Sequence, residues 1–114
     1  MTNEELTKIL SDHLVWLETD GKRGERADLV GADLVGADLR GADLSDADLR
    51  DAILRDAILR ESDLSGAYLE GANLRNANLI SANLEGVNLS GAFLKGANLE
   101  GANLEGAYLK GAYR

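Results

Sequence analysis

Leucine recurs at every fifth position from Leu29 to Leu109 without a break. Two residues ahead of it stands alanine, from Ala27 to Ala112, replaced only by Ser62 and Val87. A period of five fits neither regular element: a half-buried strand repeats every two residues and an amphipathic helix every 3.6. A fixed period this short means one small unit stacked on itself. Such a unit buries nothing alone, so it must be one side of a coil whose layers share a continuous core. Leucine then points to the axis, and alanine also points inward near a corner where a larger side chain collides. The other three positions face water.

Those three positions have their own chemistry. The residue before leucine is aspartate early (Asp28, Asp33, Asp38, Asp43, Asp48) and asparagine later (Asn73, Asn78, Asn83, Asn88). The residue after leucine is mixed: Val30, Arg40, Ser45, Glu70, Lys95. The next is usually glycine, as at Gly31, Gly36, Gly41, Gly66 and Gly86. Glycine at a recurring corner indicates a turn that needs φ > 0, as in type II. At Asp46, Asp51, Asp56 and Glu61 a side chain replaces it. Positive φ is costly there, so negative φ and type I-like corners are expected at these four.

The signature A(D/N)LxG resembles the pentapeptide-repeat family over about three quarters of the chain, from Ala27 onward. The resemblance implies an all-β solenoid, a right-handed quadrilateral β-helix in which four pentapeptides make one square coil and residues twenty apart stack. Residues 27–114 would form this shaft and residues 1–26 an N-terminal cap and connector, together one structural domain.

Thr2 to about Thr19 reads as an amphipathic α-helix opened by a capping box at Thr2 and Glu5, with Gly21 as C-cap. Leu6, Ile9, Leu10, Leu14, Trp16 and Leu17 share its apolar face, with Val15 outside it. A helix with such a stripe must bury it. The open first coil is the available surface, so the helix is expected to close that end with Trp16 over the first leucines. Its polar face carries both charge signs, which argues against a membrane-surface helix. Asp20 to Arg26 is a polar connector.

Composition narrows the function classes. The net charge is -8, which excludes direct nucleic-acid binding as a ready expectation. There is no cysteine, hence no disulfide framework, and a cytoplasmic setting is expected. Met1 to Asp20 is too acidic and interrupted for a signal peptide, and no apolar run approaches the roughly 20 residues needed to span a bilayer. No membrane partner is expected.

No catalytic constellation stands out. The single histidine, His13, has no serine beside it and reads as a packed or partly solvated cap residue. Successive aspartates fall on different sides of a square coil, and a vertical pair such as Asp43 and Asp63 falls short of the oxygen cage calcium wants. A convex shaft offers no cleft for paired-carboxylate chemistry. The expectation is a non-enzymatic structural or protein-interaction module, without catalytic residues, cofactor or metal, whose protein partner is unknown.

Stacking by twenty gives the outward residues addresses. Face two carries the column Arg55, Arg75, Lys95, with Arg114 near its end and Phe93 and Tyr113 beside it. Face four, opposite, carries Asp43, Asp46, Asp63, Glu85 and Glu105 and no cation. The first is a candidate interaction face. The second is in the spirit of family members that imitate DNA and inhibit or protect type II topoisomerases such as DNA gyrase. The regularity also fits a designed or consensus sequence without a native partner. The last coil offers a third surface, with Leu104, Leu109, Tyr108 and Tyr113 at an uncovered edge. A two-fold homodimer, end to end through this coil, is expected there, as in some family members. The competing state is a monomer blunted by Lys110 and Arg114.

Overall fold

The computed structural model describes residues Met1–Arg114. One helix, α1 (Asn3–Glu18), precedes a coiled chain that returns to itself every twenty residues. Parallel bridges define four columns: Asp28, Asp48, Tyr68, Asn88 and Tyr108; Asp33, Ile53, Asn73, Phe93 and Tyr113; Asp38, Ile58, Asn78 and Asn98; Asp43, Asp63, Asn83 and Asn103. Each side contributes one bridging residue per level. The paired backbone is therefore a stack of isolated bridges, with no continuous strands.

The repeat is a closed scheme of backbone hydrogen bonds. Leu29 N–H donates to Asp48 C=O in the next layer (2.8 Å) and Gly31 N–H to Arg50 C=O (2.9 Å). Asp48 N–H returns a bond to Ala27 C=O (3.1 Å). Ala32 N–H closes the corner onto Leu29 C=O (3.1 Å). The fifth amide, that of Val30, goes to the Asp28 side chain (Oδ1, 3.2 Å). The same side-chain bond recurs from Arg75 to Asn73, Glu85 to Asn83 and Glu105 to Asn103. The Asp/Asn position is thus more than a solvated one: its carboxylate or amide oxygen takes the amide that the ladder leaves over.

The corners overturn one expectation. Asp46, Asp51, Asp56 and Glu61 have φ of 61°, 58°, 62° and 59°, and Asn76 and Ser81 are at 60°. They follow the same positive-φ corner as glycine. The interlayer bonds decide this: Asp51 N–H must reach Glu70 C=O (2.9 Å) and Arg50 C=O must receive Gly31 N–H (2.9 Å), both through the one peptide that a type I corner flips. A corner of another type breaks both, at about 1 kcal/mol net each, which matches the roughly 1–2 kcal/mol cost of a left-handed residue.

Leucine and alanine fill the axis as expected, and the leucines from Leu29 through Leu89 are buried. Val87 fits at an alanine position without exposure. Ser62 does so by donating its hydroxyl to Leu59 C=O (2.7 Å).

Helix α1 opens with the expected capping box: Glu5 N–H donates to Thr2 Oγ1 (3.1 Å) and Thr2 N–H to Glu5 Oε1 (3.0 Å). Its end differs from expectation. Asp20, at φ 54°, takes the left-handed position, and Gly21 follows it, donating to Trp16 C=O (2.8 Å). This is the paired closure of a Schellman motif, with aspartate tolerating the left-handed site.

The packing of α1 corrects three residues. Leu6 is buried, and Ile9 and Leu10 pack on the core. Leu14 is 44% exposed. Trp16 does not lie over the first leucines: it packs beside Gly21 and stacks on His13 (5.5 Å between centroids). Leu17 is half-buried and stands apart from the residues that pack on the core. The fully enclosed residue of α1 over the first coil is His13. The reason is polar. Two backbone groups of the first coil lack the partners that their counterparts find deeper in the stack, a preceding leucine C=O for the amide and an amide one layer up for the carbonyl. Ala27 N–H donates instead to His13 Nδ1 (2.9 Å), and Ser45 C=O accepts from His13 Nε2 (2.8 Å). An indole has no acceptor and cannot serve both. No helix is long and apolar enough to cross a membrane.

Candidate functional site

The side carrying Arg55, Arg75 and Lys95 brings its predicted residues together. Their positions follow leucine in successive layers, so the three side chains project at intervals of one layer, about 4.8 Å. The Arg75 guanidinium lies 4.5 Å from the Phe93 ring centroid. Phe93 stacks on Tyr113 beneath it, with centroids 4.9 Å apart and planes 9° from parallel. Phe93 thus has both faces covered, while Tyr113 ends the stack. Tyr113 is 61% exposed, and Ile53 adds an exposed aliphatic patch above. Arg55 has one loose acidic neighbour, Asp56 at 3.9 Å, while Arg75 and Lys95 form no ion pair. Arg114 does not extend this column. It stands at the leucine position and lines the apolar floor described below.

The opposite side is less free than its composition suggests. Asp43 accepts from Ser45 N–H (3.1 Å) and Ser45 Oγ (2.7 Å), and Asp63 accepts from Ser65 in the same way (3.0 and 2.6 Å). Both carboxylates are half-buried and turned onto their own loop. The Asp46 side chain hangs over Gly66 in the next layer. Glu85 and Glu105 remain fully outward.

At the lower end Leu104 and Leu109 are half-buried and Tyr108 is 51% exposed. Leu94, Leu99, Leu104 and Leu109 floor an apolar depression of about 230 Å³. Tyr108 and Tyr113 stand on different columns of this coil.

A charge network that the sequence pattern did not reveal occupies the column of Asp28, Asp48 and Tyr68. Arg26 lies over the Tyr68 ring (5.0 Å) while its Nε donates to Asp46 C=O (2.7 Å). Arg50 grips Asp48 with two bonds (2.8 and 2.6 Å), which holds the Asp48 carboxyl below its ordinary value. Arg40 does the same to Asp38 on the third column (2.9 and 2.8 Å). Arginine two residues after aspartate was the available signal, since both side chains leave the same outer surface. Nothing in the five-residue pattern points to Arg26, which precedes it.

Residues 25–56, 57–96 and 77–113 match the sequence profile described as pentapeptide repeats, in eight copies. The chain belongs to the pentapeptide repeat family. Among solved structures it is similar to a pentapeptide repeat protein (Rfr23) from the cyanobacterium Cyanothece 51142, with 43% identity over 82% of this chain and 63% of that one, TM-score 0.49. It is similar to alr5209, a pentapeptide repeat protein from Nostoc Pcc 7120, with 40% identity over 84% of this chain and 72% of that one, TM-score 0.46. A more distant likeness is to QnrB1, a plasmid-mediated fluoroquinolone resistance protein, with 21% identity over 77% of this chain and 59% of that one, TM-score 0.39. The chain thus spans less than two thirds of the length of Rfr23. No curated protein sequence matches it.

Proposed function

We propose that this pentapeptide repeat chain is a non-enzymatic protein-interaction module that works through the face bearing Arg55, Arg75, Lys95, Phe93 and Tyr113. In this reading residues 27–114 are a right-handed quadrilateral β-helix, residues 1–26 its cap and connector, and the setting is cytoplasmic. The observation that carries it is a row of cations in a chain of net charge -8, two of them without an acidic partner, beside exposed Ile53 and Tyr113. Unneutralised arginine next to aromatic surface is the usual composition of an interaction centre. Both faces of Phe93 are occupied, by Arg75 and by Tyr113, and the net charge of -8 disfavours nucleic acid as the partner. The test is quantitative capture from a bacterial lysate by the wild type and by Arg55→Glu plus Arg75→Glu. A specific captured protein lost in the double variant supports the face; equal capture by both removes it.

A second reading follows from the side without lysine or arginine, Asp43, Asp46, Asp63, Glu85 and Glu105. This is an acidic DNA mimic acting on a type II topoisomerase. Two of its five carboxylates are spent on Ser45 and Ser65, so Glu85 and Glu105 would carry most of the contact. A DNA-gyrase supercoiling assay separates the readings: inhibition or protection that fails in Glu85→Lys plus Glu105→Lys favours mimicry.

The lower end is proposed as a homodimer surface through Leu104, Leu109, Tyr108 and Tyr113. The amides of Leu99, Leu104 and Leu109 have no bond within the chain, unlike those of Leu89 and Leu94. Light scattering at micromolar concentration tests it: a mass near 12.1 kDa, unchanged by Tyr108→Asp plus Tyr113→Asp, excludes the dimer.

A further inference from the structure

We propose that His13 is an acid-sensitive bolt whose protonation releases α1 from the first coil. The ring's tautomer is dictated by its partners. An amide can only donate, so Nδ1 accepts from Ala27 N–H; a carbonyl can only accept, so Nε2 donates to Ser45 C=O. Nε2 already carries the ring's proton. A second proton must therefore go to Nδ1, into a 2.9 Å gap where the Ala27 amide also points its hydrogen. That bond is then lost and replaced by a clash of donors.

The cation formed has no compensation in place. His13 is fully buried and belongs to none of the ion pairs. The charged groups around it are engaged elsewhere or face outward. On α1, Lys8 and Asp12 pair with each other (2.9 Å). On the connector, Arg26 donates to Asp46 C=O and Glu25 is exposed. On the first coil, Asp28 accepts from Val30, Asp43 accepts from Ser45, and Asp46 overhangs Gly66. A buried, unpaired charge is expensive, and hydration relieves it once α1 lifts. The undocked state thus holds more protons at this ring, so docking is favoured at neutral pH and is lost as pH falls. Lifting α1 uncovers Leu29, Leu34, Leu39 and Leu44 together with an unpaired backbone edge, which makes a closed end adhesive.

The chain suits a direct test. It has one tryptophan, one histidine and no cysteine, and Trp16 stacks on His13 at 5.5 Å with planes 18° apart. Trp16 emission, helical circular dichroism and light scattering are followed from about pH 7.5 to about pH 5, above the ordinary carboxylate range. The expected result is one coincident step in all three signals, absent in His13→Gln, whose side chain offers an acceptor and a donor. Constant wild-type signals, or a step that persists in His13→Gln, overturn the proposal. If the glutamine variant does not fold, NMR of the wild type decides. Protonation of the ring must speed exchange of the α1 amides about tenfold beyond the intrinsic pH effect. A ring that titrates while α1 stays protected, or that takes no proton in this range, also overturns it.

Discussion

The first and last coils are built from the same repeat and have opposite fates. Leu29, Leu34, Leu39 and Leu44 are at most 3% exposed, whereas Leu99, Leu104 and Leu109 are half-buried. Their own layers are alike: each leucine sits two residues after an inward alanine at the same kind of corner. The difference lies in what covers them. Leu6, Ile9, Leu10 and His13 lie on the upper coil, and no part of the chain lies below the last. Burial in a stacked coil is thus a property of neighbouring layers, and a terminal layer gets half of it from whatever caps it.

The largest test removes that difference. Deleting residues 1–19 uncovers the four upper leucines, each worth roughly 1.5–3 kcal/mol when fully buried. The expected outcome is a melting temperature lower by more than about 10 °C, with aggregation seen by size-exclusion chromatography. A monomer with unchanged melting shows that α1 does not close the end.

A pair of substitutions on one column sharpens the contrast. Leu44→Ala opens a cavity in a closed layer and should cost about 2–5 kcal/mol in denaturant unfolding. Leu104→Ala, three layers down on the same side, should cost less than half as much. Equal costs mean that exposure does not grade the two ends.

Glycine gives a third comparison. At Gly31 an added Cβ meets open space, and the cost is that of the φ of 65° alone, roughly 1–2 kcal/mol. At Gly24 it meets the backbone of α1, Asp12 C=O and Trp16 N (2.7 Å), neither of which can rotate away. Gly24→Ala should therefore destabilise by clearly more than Gly31→Ala and shift Trp16 emission, since it pushes the connector off the helix.

The smallest effect concerns the capping box. The hydrogen bond from Thr2 N–H holds the Glu5 carboxyl below its ordinary value. A lowered value in the folded state stabilises above the ordinary range and is lost as pH falls through the lowered one. Melting of Glu5→Gln should be flatter than that of the wild type below about pH 4.5. This window lies below the pH range of the His13 experiment, so the two tests are separable.

The five-residue period by itself determined which residues face in; the four-repeat coil that the family resemblance implies added which share a column and which sides carry charge. Leu44 and Leu64, or Arg55 and Arg75, could be placed without coordinates, because one repeat closes nearly all its backbone bonds in a fixed scheme and leaves a single way to stack. The seating of α1 is different. Leu14 and Leu6 look alike on a helical wheel, yet one is exposed and the other buried. Trp16 yields its expected place to His13, because the first coil presents an amide and a carbonyl that need a side chain able to accept and donate. The corner at Asp51 likewise obeys its neighbours above its own preference: residue propensity is worth about 1–2 kcal/mol, and the interlayer bonds from Asp51 to Glu70 and from Gly31 to Arg50 are worth as much together. Local pattern decides wherever a repeat is surrounded by copies of itself. At the upper end, where the copies stop, the partners come from α1, and tertiary structure alone decides.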